Sequence, residues 1–207
     1  ITLITNQVYE KEKNNRMMVG ILSQIVEFRN GESGSHVLNI NIFTGMLLES
    51  LVQKTDKYNI TWSERLLITI GKIGIDDKIL NKPGRLTDEE FKIMQNHTII
   101  GASILENMGS YQDEELMKVA YQICRWHHER YDGKGYPYGI KGEELPWMVR
   151  IISAADSLDA MNSNRCYRKH CDKDYIIGEF EKGAGTQFDK SVAETVITLI
   201  EEGRIVI

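Results

Sequence analysis

The sequence predicts an all-helical domain. Apolar residues recur at i, i+3/i+4 and i+7 through several long stretches, the period of a helix with one buried face. Only 3 prolines interrupt 207 residues, and the run Thr87-Asp88-Glu89-Glu90 is a capping box at the head of one such stretch. Hydrophobic content of 42% and charged content of 27% are those of an ordinary globular chain. The net charge of −5 argues against binding a nucleic-acid polymer. No run of about 18 apolar residues is present, so no membrane insertion is expected. The cysteines, Cys124, Cys166 and Cys171, suit no disulfide framework and point to a reducing, cytoplasmic setting.

Taken in order, residues 1–14 are polar and read as a lead-in; the first residue is Ile rather than Met, so an upstream domain is expected. Met17–Phe28 carries one apolar stripe, which makes residues 1–28 a lead-in plus helix ahead of the main domain at 29–207. Residues 29–35 break that helix with two glycines. His36 opens the next helix, carried by Val37, Ile40, Phe43, Met46, Leu47 and Leu51, with Glu32 four residues before it. Trp62–Ile70 reads as a short apolar helix, and Asp76–Gly84 as a loop with a Pro-Gly turn. From Thr87 one helix is expected to run to about Asn107, with Phe91, Met94, His97, Ile104 and Leu105 on its inner side.

Leu116, Val119/Ala120, Ile123 and His127 share a helical spacing, and His128 lies about 100° round the same turn. Both rings can face one interior point, and neutral imidazole is the commonest metal ligand. A glycine-rich turn, Asp132-Gly133-Lys134-Gly135-Tyr136-Pro137, follows at once. Pro146 opens an apolar helix over Trp147–Met161, in which Asp156 is the conspicuous acid, since a buried carboxylate needs a cation or several donors. Arg165, Arg168, Lys169, His170 and Lys173 form a basic cluster suited to phosphate or to solvent. Helices at Tyr175–Lys182 and Ser191–Glu202, separated by a loop at Gly183–Asp189, complete the chain. Of the 5 histidines, only His170 sits in an evidently solvated stretch. The others, with Asp156 and Glu32, form an imidazole and carboxylate set suited to Fe, Mn or Zn.

From about Arg29 to Asp189 the sequence resembles the HD-GYP family, bacterial cyclic di-GMP phosphodiesterase domains of the HD superfamily. The resemblance rests on Glu32-Ser33-Gly34-Ser35-His36, Ile70–Ile75, Asp77–Leu80 and Lys82-Pro83-Gly84. It continues through Phe91–His97, Gly101, Leu105, His127-His128-Glu129, Asp132-Gly133 and Gly135-Tyr136-Pro137. Ile151–Asp156, Asp159-Ala160, Arg165, Tyr167-Arg168-Lys169 and Gly185–Asp189 close it. It implies an HD-superfamily helical bundle with a central site of two or three metals. It also implies metal ligands at Glu32, His36, His97, His127, His128 and Asp156, and substrate contacts at Lys72, Tyr136, Arg165 and Arg168, with Lys72 also a candidate catalytic residue.

One departure bears on the chemistry. Where the family carries His-Asp immediately before Ile-Gly-Lys, this chain has Ile68 and Thr69. Isoleucine cannot ligate, and a threonine hydroxyl lacks the charge of a bridging carboxylate. A full di- or trinuclear centre is therefore not expected; one divalent metal, Fe, Mn or Zn, at His97, His127 and His128 is. Three function classes stay open. The first is a domain impaired in hydrolysis that senses cyclic di-GMP or a related nucleotide, or binds other signalling proteins. The second is a slow or active metal-dependent phosphodiesterase. The third is a structural relay or homodimerisation domain.

Overall fold

A computed structural model describes residues 36–52, 70–107, 115–163 and 170–207. Among the described residues all regular structure is helical, with one isolated β-bridge between Ala184 and Phe188. The apolar spacing after His36 becomes α1 (His36–Val52), which buries Ile40, Phe43, Leu47 and Leu51. A 3₁₀ turn covers Ile70–Gly74.

Two expectations are corrected in the next stretch. The loop predicted over Asp76–Gly84 contains a single helical turn, α2 (Asp77–Leu80), because the Asp76 side chain accepts the Lys78 N–H as an N-cap. The helix predicted from Thr87 to Asn107 is two helices, α3 (Asp88–Gln95) and α4 (His97–Glu106). The capping box at Thr87 and Glu90 starts α3 as expected. The break comes from side chains that take backbone acceptors. His97 Nδ1 bonds the Met94 carbonyl at 2.6 Å, and Thr98 Oγ1 bonds that of Gln95 at 2.9 Å. The break also rotates the two halves of the predicted inner face apart. His97 and Leu105 are buried, whereas Phe91 is 46% exposed.

The remaining helices are α5 (Glu115–Trp126), α6 (Trp147–Asn162), α7 (Lys173–Gly183) and α8 (Lys190–Glu201). Helix α6 buries Val149, Ile151, Ile152, Ala154, Ala155 and Leu158, and with α1 and α8 it makes the main core; α7 closes over α8. A smaller core joins Ile70, Leu105, Ala120 and Cys124. Helix α5 serves both, since Ile123 belongs to the first while Ala120 and Cys124 belong to the second. Its C-terminal end thus emerges where the two cores meet. No helix among the described residues is long and apolar enough to cross a membrane.

The 3₁₀ turn lies against α4 backbone to backbone. A Cβ on Gly71 would stand 1.7 Å from the His97 carbonyl oxygen and 2.6 Å from the Gly101 nitrogen. Only glycine allows this approach, which carries Lys72 to the start of α4. Gly71→Ala is expected to lower stability by about 3 kcal/mol, since backbone cannot yield as a side chain would; urea unfolding measures it.

Candidate metal centre

Helix α5 ends at Trp126, yet the next residue still follows its path, because the His127 N–H bonds the Ile123 carbonyl. His127 is 4% exposed, and its Nδ1 lies 3.0 Å from the Ile123 carbonyl oxygen and 3.1 Å from that of Cys124. The chain then turns back on itself. Gly135 lies so close to the preceding strand of backbone that a Cβ would meet Arg130 N, Glu129 Cα and His128 O within 2.5 Å. That approach, with the Tyr136 N–H on the His128 carbonyl, folds the Tyr136 ring over His128, stacked at 4.8 Å and 29°. The Tyr136-Pro137 peptide is cis.

Glu129 fixes the far side of the turn. It is 2% exposed and accepts the N–H groups of Tyr138, at 2.7 Å, and Gly139, at 3.0 Å. Burial pushes its carboxyl up, and these amides oppose the shift. Sequence reasoning gave Glu129 no role; its signal was an acid directly after two histidines and before a run of turn residues.

His97, at the start of α4, meets this end of α5. Its Nε2 is 3.3 Å from His127 Nε2, and one nitrogen from each of His97, His127 and His128 falls within 4.8 Å of the others. The chemistry of this donor set fits a cation. The Nδ1 atoms of His97 and His127 face backbone carbonyls, to which only N–H can donate, so the two Nε2 atoms face each other as lone pairs. Two lone pairs at 3.3 Å repel unless a positive charge lies beside them. The spacing is also the edge of a tetrahedron with metal–nitrogen bonds of about 2.0–2.1 Å. Burial, then the neighbouring His127, drives the His97 pKa down to about 3, and burial lowers that of His127. Both rings are neutral, as ligation requires.

A second group sits beside the first. His36, 7% exposed at the head of α1, donates from Nδ1 to Asp159 Oδ2 at 2.5 Å and turns Nε2 toward Asp156 Oδ1 at 3.6 Å. Burial lowers the pKa of His36, but the Asp159 bond and the Asp156 charge outweigh it, so the net shift is upward. Asp159 also accepts from Asn39 and Ser163. The expectation of a buried carboxylate at Asp156 is corrected: its side chain is 18% exposed, and that of Asp159, one turn on, is 1% exposed. The i, i+3 spacing of the two acids was the signal that could have identified Asp159.

The structure thus brings together His97, His127, His128 and Tyr136, and places His36 with Asp156. Asp156 links the groups, since its charge raises the proton affinity of both His127 and Tyr136. Lys72 acts on the same space, its charge lowering the pKa of His36, His97 and His127. Glu32, Ile68, Thr69, Arg165 and Arg168 lie outside the described residues.

Residues 16–192 match the HD domain family. The chain belongs to the HD domain family. Among characterised relatives, this HD domain is 36% identical over 182 residues to a cyclic di-GMP phosphodiesterase of Thermotoga maritima, covering 88% of the chain and 48% of that protein. It is 31% identical over 222 residues to a cyclic di-GMP phosphodiesterase of Vibrio cholerae, covering 98% of the chain and 44% of the relative. A 3'3'-cGAMP-specific phosphodiesterase of the same organism is 30% identical over 192 residues, covering 93% of the chain and 36% of the relative. The chain therefore spans half or less of the length of these relatives. An HDG"Y"P protein from Bdellovibrio bacteriovorus shares the fold, with a TM-score of 0.55 at 14% identity over 80% of this chain and 51% of that one. This HD domain is related to the HD-GYP cyclic di-GMP phosphodiesterases.

Two outcomes test the centre. Elemental analysis after purification should find Fe, Mn or Zn, and His97→Ala or His127→Ala should remove it. The chelator-treated domain should also lose stability in acid. His97 binds a proton less readily folded than unfolded, so below pH 6.5 the unfolded chain holds more protons, and stability falls with pH toward about 3. At about 1.4 kcal/mol per pH unit, this amounts to about 2 kcal/mol by pH 5. His97→Gln should flatten the slope of the urea midpoint between pH 6.5 and 5.

Proposed function

We propose that this chain is an HD-GYP-type cyclic-dinucleotide signalling domain, impaired in phosphodiester hydrolysis, that acts by binding a nucleotide or a partner signalling protein. One observation carries the reading. A three-histidine cluster with the spacing of a metal site stands in a chain that has Ile68 and Thr69 where the HD-GYP resemblance implies His-Asp. The domain is assigned to residues 29–207, with 1–28 as its lead-in.

In this reading His97, His127 and His128 hold one divalent metal, and His36, Asp156 and Glu32 are the remnant of a larger centre. The metal, when bound, supplies a Lewis acid for a phosphoryl oxygen and acidifies a water. Lys72 adds positive charge for the phosphate, at the site where it already depresses the histidines' proton affinity. Arg165 and Arg168 add guanidinium donors suited to phosphate oxygens. Tyr136, stacked on His128, walls the site with an apolar face. Asp159 orients His36 through Nδ1, leaving Nε2 directed at Asp156, the arrangement of a carboxylate behind a ligating imidazole. What is lost with the dyad is the carboxylate that would bridge a second metal.

A second reading, a slow metal-dependent phosphodiesterase, is favoured by the completeness of the three-histidine cluster and its Lys72. Anaerobic incubation with cyclic di-GMP and Fe(II) or Mn(II) separates the two, with linear dinucleotide and GMP quantified by chromatography. The impaired reading expects no product above that of His128→Ala, with nucleotide binding that falls in Arg165→Ala. Turnover abolished by His128→Ala would replace it with the enzyme. Neither turnover nor nucleotide binding would leave only the partner-binding role.

A further inference from the structure

Phe91 has no place in the centre as described, and its position is at odds with its sequence. The helical pattern puts it on a buried face, but the break at Asn96 leaves it 46% exposed. Exposure does not isolate it. Its ring lies 6.0 Å from that of Tyr136 at 83°, and Tyr136 in turn stacks on His128 at 4.8 Å. A chain of three aromatic rings thus leads from solvent to the three-histidine cluster. Through Tyr136, the ring of Phe91 lies no more than about 11 Å from that of His128.

The other exposed aromatic next to this turn is already occupied. Tyr138, 52% exposed, carries the Arg125 guanidinium 4.9 Å above its ring, and Arg125 also bonds its hydroxyl. Phe91 stands perpendicular to Tyr136 rather than stacked on it, so its solvent-facing surface is free of a stacking neighbour among the described rings. Ordering a phenylalanine at the rim of a polar site leaves apolar area in water, and a flat aromatic ligand is what would cover it.

We propose that Phe91 is a nucleobase-stacking platform, which holds one purine of a cyclic dinucleotide while its phosphate lies at the three-histidine cluster. The proposal rests on the nucleotide reading above and adds a specificity to it. Stacking reads the π-face that every base has and not the hydrogen-bonding edge, so Phe91 grips guanine and adenine alike. It contributes affinity without choosing between cyclic di-GMP and 3',3'-cGAMP.

The test is equilibrium binding of both nucleotides, as phosphorothioate analogues that resist hydrolysis, to the metal-loaded chain and to Phe91→Ala, Phe91→Leu and Phe91→Trp. Metal content is measured in each. The Ala and Leu variants should keep the metal and bind both nucleotides roughly 10-fold more weakly or worse, and the Trp variant should bind at least as well as the unchanged chain. Equal binding by the unchanged chain and Phe91→Leu would overturn the platform, because leucine keeps the apolar bulk without the π-face. A loss confined to one of the two nucleotides would overturn the claim that it reads no edge. Binding of neither nucleotide by the unchanged chain would overturn the nucleotide reading itself, together with the platform.

Discussion

The approach of His97 to His127 is the constraint on which the rest of the centre depends. Two neutral rings, each donating from Nδ1 to its own backbone, bring bare Nε2 lone pairs to 3.3 Å. Nothing in a metal-free core favours that contact, and burial disfavours protonating either ring. The geometry is tolerable because the backbone on both sides is fixed by other means. On one side Met94 and Gln95 give up their carbonyls to side chains, which ends α3 and starts α4 at His97. On the other, Ile123 and Cys124, each anchored in a different core, set the last turn of α5. A contact of this kind, maintained by surroundings that over-determine it, fits a metal site.

Much of this was legible in the sequence, because helices announce themselves by period and the three histidines fell at positions the period made internal. Ile40, Leu47 and Ile123 are buried as their spacing requires. What was not legible was everything set by side chains bonding to backbone. Periodicity treats 87–107 as one apolar face, because it cannot register that His97 and Thr98 would take the carbonyls of residues 94 and 95. The fate of Phe91 followed from that single break. Likewise, a sequence shows Asp156 and Asp159 as two acids one turn apart, and only packing against α1 decides which is enclosed. Nor does the sequence show that Gly71 and Gly135 let backbone meet backbone at the centre's two edges.

The two halves of the centre differ in electrostatic character. In the three-histidine half, burial lowers the proton affinity of His97 and His127, and the fold holds their facing Nε2 atoms 3.3 Å apart. The other half is an imidazole between two carboxylates: burial lowers the proton affinity of His36, but the Asp159 bond and the Asp156 charge outweigh it, and the same bond holds the Asp159 carboxyl down. The two carboxylates favour a proton on His36, and a proton on Nε2 competes with a cation for that nitrogen. A cation beside the Nε2 atoms of His97 and His127 relieves the repulsion between them. The fold therefore sets the facing imidazoles at the end of α5, beside the Tyr136 ring, and His36 with Asp159 as an internal tie between α1 and α6.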